Sequence, residues 1–587
     1  MSSAARVKIL GRRPPLVDPR DGDIETDESS PERRSLLAIA GNLLAEVSLP
    51  KMVSALALLI VVPAILLGLA PIVATIWARK MTAAPGTTGT GALLVFAVLF
   101  ALAWYGGRPL LRAVENSFWS LNALAIQPGY VAWRELLLHL SRRLKGAGPS
   151  ETTQARGRAA ASAAAGVILC VLALVVLRLV WPATHWVGTL SDFRTPHWLF
   201  LTALANATAV AMAYLAVAGL VWGIADATMP QPRELDAFRS REEFVRSWRV
   251  AHLSDIHVVG ERYGFRLGSG RAGPRGNDTF VAALERLDAI HRRAPLDAVV
   301  ITGDLTDAGT PAEWSELLDT LERFPRLEQL IVALPGNHDV NIVDRANPAR
   351  LDLPSSPKKR LREVRTLSAL AALQGSRVRV VDRENCGLGE SLDRTLSPKA
   401  SDIAGFADSG ARRLGKVSGK AWTSAFPMVR PPERDDGLGV IVLNSNAETH
   451  FSFTNALGLV PADEARALEI AMRAFPRAYW VVALHHHIVE HPKLGHSLAE
   501  RIGTTLINGS WVARRLQRVG ARTVVMHGHR HIDWMGQCGD VLILSAPSVV
   551  MPASDDGAVY FHIHTVGIDS TGRIGLGIPE RVDVPAS

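Results

Sequence analysis

Cysteine and charged residues are scarce in this chain of 587 residues. Its three cysteines, Cys170, Cys386 and Cys538, are too few and too widely spaced for a disulfide framework, and none forms a CxxC zinc pair. Charged residues make up 20% of the chain and hydrophobic residues 48%, a balance that excludes a disordered or fibrous protein. Since a domain averages about 150 residues, the length predicts more than one folding unit.

Charge is missing above all from long stretches in the N-terminal part. A bilayer is crossed by about 20 apolar residues, so stretches of this length without charge predict membrane spans rather than buried core helices. One of them contains a single charge, Arg178, close enough to its end to reach the lipid headgroups. The four predicted spans are residues 52–78, 86–107, 159–181 and 198–225.

The basic residues between the spans predict how the chain is oriented. Residues 1–240 hold 22 Lys+Arg against 15 Asp+Glu, which is nearly all of the net charge of +8. The loop 108–158 carries eight basic residues, whereas the alternate loops carry only Arg79, Lys80 and Arg194. By the positive-inside rule, the N-terminal tail and everything after the fourth span lie on the cytoplasmic side of the cell membrane. The near-neutral C-terminal part disfavours a nucleic-acid partner.

The remaining chain divides by composition. We expect an N-terminal tail (1–50), a transmembrane unit (51–225), a linker (226–247) and a soluble domain (248–587). Short β-rich runs in that domain alternate with helical patterns at 278–293 and 311–323, which indicates the α/β class. Five β-rich runs end in polar residues, and function in such sheets lies at the carboxyl ends of strands. These runs are residues 248–253, 298–302, 330–334, 480–484 and 522–526.

The residues that follow these runs are of the kinds that bind metals. Carboxylate, imidazole and amide groups without a thiolate suit hard or borderline cations such as Mn, Fe or Zn, and the number of groups suits two metals that share one carboxylate. An isolated histidine is more often a satisfied imidazole, and nothing is claimed for the other histidines. The metal-capable residues are Asp255, His257, Asp304, Asn337, His338, His485, His486, His487, His529 and His531.

Five short motifs occur in order along the domain: DIH at 255, GD at 303, GNHD at 336, HHH at 485 and GHRH at 528. Each motif alone is weak, but the ordered set resembles the signature of the calcineurin-like metallophosphoesterases over about 245–565. The resemblance implies a four-layer α-β-β-α domain that hydrolyses phosphoric esters with two divalent or trivalent metal ions. Together with the spans, it implies a four-helix transmembrane unit joined to this α/β domain.

The resemblance also implies a role for each matched residue. Asp255, His257 and His531 would hold one metal, while Asn337, His486 and His529 would hold the other. Asp304 would bridge the two. The family has His-x-Pro in the fourth motif, and matching Ile488 to that proline selects His486, with His485 as the alternative. His338 would act as general acid and Asp339 would orient it.

Two metals lower the pKa of a bridging water, so that hydroxide can attack a phosphoryl group at neutral pH while His338 protonates the leaving group. The wording SDIH and GDLTD resembles the cyclic-nucleotide and glycerophosphodiester branch, which favours a phosphodiester, nucleotide or lipid-linked substrate. The alternative is a catalytically silent domain on a membrane sensor or transporter.

Segments 341–376 and 384–436 interrupt the regular pattern, and each is either a cap over the site or a surface insertion. The sequence makes no prediction of oligomeric state.

Overall fold

The computed structural model describes residues 15–21, 23, 49–83, 126–145, 151–235, 237–260, 274–344, 350, 352, 357–449, 452–491, 503–553 and 557–585. These residues divide into two units. One lies within Ser48–Gln231, and the other combines the described residues before Val47 with those from Pro232 onward.

The first unit is helical. Three of its helices are long and apolar enough to cross a membrane, over Val61–Lys80, Ala155–Ala183 and Pro196–Ala227. They coincide with three of the four predicted spans, while the predicted span 86–107 lies outside the described residues. The four described helices of this unit are α1 (Leu49–Ala83), α2 (Gln127–Lys145), α3 (Glu151–Val180) and α4 (Pro196–Ala227).

Small residues bring α3 and α4 close together. A Cβ on Gly166 would lie 2.5 Å from the carbonyl oxygen of Gly219 and 2.9 Å from the Cα of Gly223, so only glycine permits this approach. Such contacts are typical of helices packed in lipid. Large apolar side chains on the outside of the unit, including Leu179 and Leu66, are exposed, as expected if lipid covers them.

The second unit is built on two mixed sheets. One has nine strands in the order β1-β11-β12-β10-β9-β8-β7-β5-β6, and the other has β14-β13-β2-β3-β4 with β15 paired to β13. The strands are β1 (Arg233–Glu234), β2 (Arg246–Leu253), β3 (Ala298–Ile301), β4 (Ile331–Ala333), β5 (Arg379–Asp382), β6 (Gly387–Ser391), β7 (Met428–Arg430), β8 (Leu438–Val442), β9 (Tyr479–Ala483), β10 (Thr523–His527), β11 (Trp534–Cys538), β12 (Val541–Ser545), β13 (Val559–Ile568), β14 (Ile574–Leu576) and β15 (Glu580–Val584).

Helices connect and cover these strands. The two predicted helices are present, with the first beginning four residues earlier than predicted and the second ending one residue earlier. The helices are α5 (Pro274–Arg293), α6 (Pro311–Glu322), α7 (Pro325–Glu328), α8 (Asn337–Val340), α9 (Pro357–Gln374), α10 (Leu392–Leu396), α11 (Ala400–Ser409), α12 (Arg412–Ala425), α13 (Ala462–Ala474) and α14 (Gly509–Gln517).

One hydrophobic core joins the two sheets. Along β9, Tyr479, Val481 and Ala483 belong to this core, and alternate residues of β8, β10 and β12 do the same. Since successive side chains of a strand point to opposite faces, one face of the nine-stranded sheet packs toward the six-stranded sheet. The α/β class with two mixed sheets is therefore confirmed, and a four-layer arrangement stays a prediction.

Both predicted inserts differ from either alternative offered by the sequence. Within 341–376, α9 is a buried helix whose Leu361, Leu367 and Leu370 belong to the main core. Segment 384–436 supplies β6, β7 and helices α10–α12, and its Phe406 and Trp422 belong to the same core. The described parts of both segments are therefore structural elements of the domain, because their apolar periodicity is satisfied by packing against it.

Part of the predicted N-terminal tail is also integrated into this unit. We call residues 15–21 and 23 the N-terminal strap. Val17 is buried in the main core and exchanges two hydrogen bonds with Ser368 of α9. Arg20 pairs with Asp319 and Glu322 of α6. The strap is therefore a packed surface element, which its polar sequence did not indicate.

Candidate metal centre

Loops that follow five strands bring the motif residues together. β2, β3 and β4 are neighbouring parallel strands, as are β9 and β10 in the other sheet. The DIH, GD and GNHD motifs follow the first three strands, while HHH and GHRH follow the other two. Because parallel neighbours end at the same edge of a sheet, the five motifs converge where the two sheets meet, as the sequence predicted.

The backbone at these residues is unusual. Six described non-glycine residues have positive φ, and five of them are motif residues. A left-handed backbone is uncommon for such residues and clusters at functional sites, where the surrounding structure enforces it. The five are Asp255, His257, Asp304, His529 and His531, with φ between 49° and 76°.

Four side chains form the first half of the site. His531 Nε2 lies 3.1 Å from Asp255 Oδ1, and His257 Nε2 lies 4.0 Å from the same oxygen. His257 Nε2 is also 3.6 Å from Asp304 Oδ2. Asp255, His257 and His531 were predicted to hold one metal, and their ligand atoms lie close enough together to surround a single ion.

The second half of the site is formed around His485. Its Nε2 lies 3.1 Å from Asn337 Oδ1, 3.1 Å from His529 Nδ1 and 3.4 Å from Asp304 Oδ2. Asp304 Oδ2 therefore faces both halves, which is the position required of a bridging carboxylate. Asn337 and His529, which were predicted to share a metal, both lie beside His485, which the sequence offered as the alternative to His486.

The hydrogen bonds of His486 explain why it occupies a different place. The Ser445 hydroxyl oxygen accepts from the backbone N–H groups of His485 and His486, both at 3.1 Å, so its own hydrogen is donated to His486 Nδ1 at 2.9 Å. With Nδ1 accepting, a neutral His486 carries its hydrogen on Nε2 and presents no lone pair there. The sequence did not indicate Ser445.

The opposite arrangement holds for His485. Its Nδ1 donates to the carbonyl oxygen of Thr302 at 2.8 Å, so the lone pair of Nε2 points at Asn337 Oδ1, which can only accept. The Nε2 lone pair and Asn337 Oδ1 are both acceptors, so at 3.1 Å they need a cation between them or a proton on Nε2. A backbone carbonyl that accepts from the far nitrogen is also the usual partner of a metal-bound histidine. The residues present therefore fit metal ions.

The electrostatics of the site agree with this arrangement. Burial alone would raise the pKa of Asp304, but His485 and His338 hold that pKa well below its usual value. Burial likewise lowers the pKa of His485, yet the charge on Asp304 outweighs it and raises the value to about 9. A buried carboxylate surrounded by imidazoles is costly unless positive charge is present.

His338 lies beside both halves of the site. Its Nδ1 donates to the carbonyl oxygen of Asp307 at 2.7 Å, and its Nε2 is 4.0 Å from Asp304 Oδ2. Its ring meets that of His257 edge to face, with centroids 4.7 Å apart. The structure thus orients His338 through the backbone carbonyl of Asp307, a contact that the motifs did not indicate because it does not depend on residue type.

The carboxylate of Asp339, which was predicted to orient His338, contacts the GD and GNHD loops. It accepts hydrogen bonds from the backbone N–H groups of Gly336, Leu305 and Thr306 and from the Thr306 hydroxyl. Burial raises its pKa to about 7, and the nearby charge of Asp304 adds to the rise. Asp339 therefore ties the GD loop to the GNHD loop instead of orienting His338 directly.

Glycine at 336 is required by the same close approach. A Cβ on Gly336 would lie 2.1 Å from the backbone nitrogen of Asp304 and 2.2 Å from its Oδ1. Gly303, with φ of +95°, would bring a Cβ within 2.6 Å of His485 Nδ1. Both glycines therefore leave room for the bridging carboxylate and its neighbours.

Comparison with known families agrees with the resemblance seen in the motifs. Residues 249–405 match the model of the calcineurin-like phosphoesterases. This range contains the DIH, GD and GNHD motifs, whereas HHH and GHRH lie beyond it and join the site through the fold. The matched range thus carries a calcineurin-like phosphoesterase domain, the class of protein to which the site geometry also points.

Two curated relatives are similar over part of the chain. A cAMP/cGMP dual specificity phosphodiesterase of Mycobacterium tuberculosis is 33% identical over 164 residues, which cover 27% of this chain and 46% of that protein. A 3',5'-cyclic-nucleotide phosphodiesterase of Nostoc is 34% identical over 93 residues, covering 16% of this chain and 31% of that protein. The chain therefore spans less than half the length of either relative.

Solved structures of similar proteins include a dimetal phosphatase from Danio rerio, which is 12% identical with a TM-score of 0.32 and covers 58% of this chain and 99% of that one. A putative 5'-nucleotidase from Staphylococcus aureus is 13% identical with a TM-score of 0.32, over 58% of this chain and 55% of that one.

Proposed function

We propose that this protein is a membrane-anchored, dinuclear metal-dependent phosphodiesterase that works at the cytoplasmic face of the cell membrane. The observation that carries the proposal is the convergence on Asp304 of ligand-type atoms from five loops of two sheets. A complete ligand set disfavours the alternative of a catalytically silent domain, since a silent domain has no need to keep these buried polar groups together.

The ligand assignment follows the distances around Asp304. Asp255, His257 and His531 would hold one ion, while Asn337, His485 and His529 would hold the other, with Asp304 shared. His485 takes the place predicted for His486. When bound, two such ions activate water and neutralise charge that develops on a phosphoryl group. The donor set suits Mn, Fe or Zn.

His338 is proposed as the general acid. Its Nδ1 hydrogen is committed to the Asp307 carbonyl oxygen, so that Nε2 is the nitrogen that faces the site and can exchange a proton. An imidazole is suited to this task because its ordinary pKa lies near neutrality. Asp307 and Asp339 act on position, the first by fixing the ring of His338 and the second by fixing both ligand loops.

A cyclic nucleotide is the substrate class that we favour. The two curated relatives are named as cyclic-nucleotide phosphodiesterases and are 33% and 34% identical over the parts that align. Like these enzymes, the proposed site would cleave a phosphodiester bond. A lipid-linked phosphodiester is the competing substrate, suggested by the apolar helices of the N-terminal unit.

The strap supports the predicted topology. The strap precedes the first apolar helix, yet it packs into the same unit as the domain that follows the last one. If the apolar helices cross a membrane, the strap and the domain lie on the same side of it, and the number of crossings is even. The described helices supply three candidates, so a fourth crossing is proposed within the predicted span 86–107. Positive charge in the loop 108–158 favours the cytoplasmic side for the domain.

The full chain in detergent tests the activity. With Mn²⁺ it should hydrolyse bis-p-nitrophenyl phosphate and 3',5'-cyclic AMP, and Asp304→Asn should abolish hydrolysis of both. Equal turnover by wild type and Asp304→Asn would refute the proposed site. Hydrolysis of lipid-linked phosphodiesters alone would mean that the substrate is a lipid-linked phosphodiester and not a cyclic nucleotide.

The topology is tested with reporters fused to either end of the chain, both of which should be active in the cytoplasm. A C-terminal reporter that is active only outside would overturn the orientation.

A further inference from the structure

A buried ion pair links the N-terminal strap to the domain. The Asp23 carboxylate accepts from Arg365 Nε at 2.6 Å and from Nη2 at 2.7 Å, and both side chains are only 2% exposed. Bidentate pairing of this kind fixes geometry as well as charge. A guanidinium buried without its carboxylate would be strongly unfavourable. The position of Arg365 therefore depends on Asp23.

Arg365 in turn contacts the loop that carries the bridging carboxylate. Its Nη1 donates to the carbonyl oxygen of Gly309 at 3.1 Å. Gly309 has a φ of +67°, and a Cβ there would lie 2.5 Å from the carbonyl oxygen of Asp339. The end of the GD loop is thus held between Arg365 on one side and the GNHD loop on the other.

Neighbouring residues of α9 hold the GNHD loop from behind. The Thr366 hydroxyl shares its hydrogen between the carbonyl oxygens of Arg362 at 2.8 Å and Asp339 at 3.3 Å. Arg362 Nε donates to the carbonyl oxygen of Val340 at 3.1 Å. Both loops that carry Asp304 and Asn337 therefore rest on one turn of α9. The strap lies against that same turn through Asp23.

The rest of the strap is clamped to the same framework. The Ser368 hydroxyl accepts from Val17 N at 2.8 Å and donates to Val17 O at 3.1 Å. Arg20 Nη2 lies 2.6 Å from Asp319 Oδ1 on α6. These contacts hold the described residues that precede Asp23 against α9 and α6.

We infer that the N-terminal strap is a positioning element for the metal centre. By neutralising Arg365, Asp23 holds α9 in the register that places the GD and GNHD loops, and so sets the affinity of the site for its metals. The strap precedes α1 in the chain. The inference rests on the proposed function, because it assigns the strap to the proposed metal centre.

The test compares Asp23→Asn with Asp18→Asn in the full chain. Asp18 lies on the same strap, where its Oδ1 accepts from the backbone N–H and from the guanidinium of Arg20, bonds that an asparagine Oδ1 can also accept. Its side chain is 20% exposed. Removal of a group that supports metal ligands costs about 10–100-fold in metal affinity. Asp23→Asn acts on the ligand loops only through Arg365, so it should raise the free Mn²⁺ concentration at half-saturation, read by the EPR signal of unbound Mn²⁺, by up to about tenfold. Asp18→Asn should leave it unchanged.

Ser368→Ala is the second variant, because it loosens the strap without leaving a buried charge. It should raise the half-saturating Mn²⁺ concentration in the same direction by a smaller factor. If folded Asp23→Asn binds Mn²⁺ as wild type does, or if Asp23→Asn fails to fold and Ser368→Ala binds as wild type does, the inference is overturned. Since Mn²⁺ binding is read without substrate, a wild-type chain that binds Mn²⁺ but hydrolyses nothing would refute the proposed function alone.

Discussion

The choice between His485 and His486 offers a sharp test because the two are adjacent and equally buried. His485→Ala removes the imidazole whose Nε2 lies 3.1 Å from both Asn337 Oδ1 and His529 Nδ1. His486→Ala removes an imidazole that accepts from Ser445 through Nδ1 and packs against the ring of His529, with centroids 4.3 Å apart. The first change deletes a proposed ligand, and the second deletes a support of one.

Loss of a group that only supports ligands costs about 10–100-fold in metal affinity, so loss of the ligand itself should cost at least about 100-fold, or about 2.8 kcal/mol. We therefore expect His485→Ala to bind one Mn²⁺ with near wild-type affinity and to lose the second at micromolar Mn²⁺. His486→Ala should bind two, with the second weakened by about tenfold.

The number of bound Mn²⁺ ions in each variant is measured by mass spectrometry after equilibration at fixed free Mn²⁺. Circular dichroism is the control for folding. If the folded His486→Ala chain loses the second ion while the folded His485→Ala chain keeps it, then His486 is the ligand and the Ser445 hydroxyl does not donate to it.

Two further predictions concern proton transfer and stability. His338→Asn should slow hydrolysis of 3',5'-cyclic AMP while the chain keeps two Mn²⁺ ions. The reason is that Nδ1 of His338 is held by the Asp307 carbonyl and the His338 ring is not a proposed ligand. Stoichiometric metal loss in this variant would contradict the role of His338 as general acid. Burial raises the pKa of the Glu464 carboxyl to about 8 from its ordinary 4.5, so the stability that the protonated form contributes is present below pH 4.5 and is lost as the pH rises through 8. Glu464→Gln can still accept from the Asn444 N–H, so it should raise the midpoint of thermal unfolding at pH 8 more than at pH 5. An equal rise at both pH values would disprove the raised pKa of Glu464.

The class of fold and most of the site could be predicted because they depend on local patterns. Strands β2, β3 and β4 each end within a residue or two of a polar motif, and the order of the motifs was enough to indicate two metals. Asp255, Asp304 and Asn337 are placed by short loops of fixed length, so their position in the sequence determines their position in the fold.

What the sequence did not predict depends on contacts between distant segments. The choice of His485 over His486 rests on Thr302 and Ser445, which lie 183 and 40 residues away from His485 along the chain. The support of His338 by a backbone carbonyl leaves no trace in residue type. The strap was predicted as a tail because polar residues outnumber apolar ones there, whereas Val17 and the Asp23 carboxylate find their partners in α9.

The central claim is that Asp304 bridges two metal ions in an enzyme that cleaves phosphodiesters. The most direct measurement is the number of Mn²⁺ ions bound per full-length chain, taken alongside the rate of bis-p-nitrophenyl phosphate hydrolysis as Mn²⁺ is added. We predict that the rate saturates as the second ion binds, and that Asp304→Asn lowers it by about a thousandfold or more, since such ions contribute several kcal/mol to catalysis. Saturation of the rate with a single bound ion, or full activity in Asp304→Asn, would exclude a two-metal site bridged by Asp304.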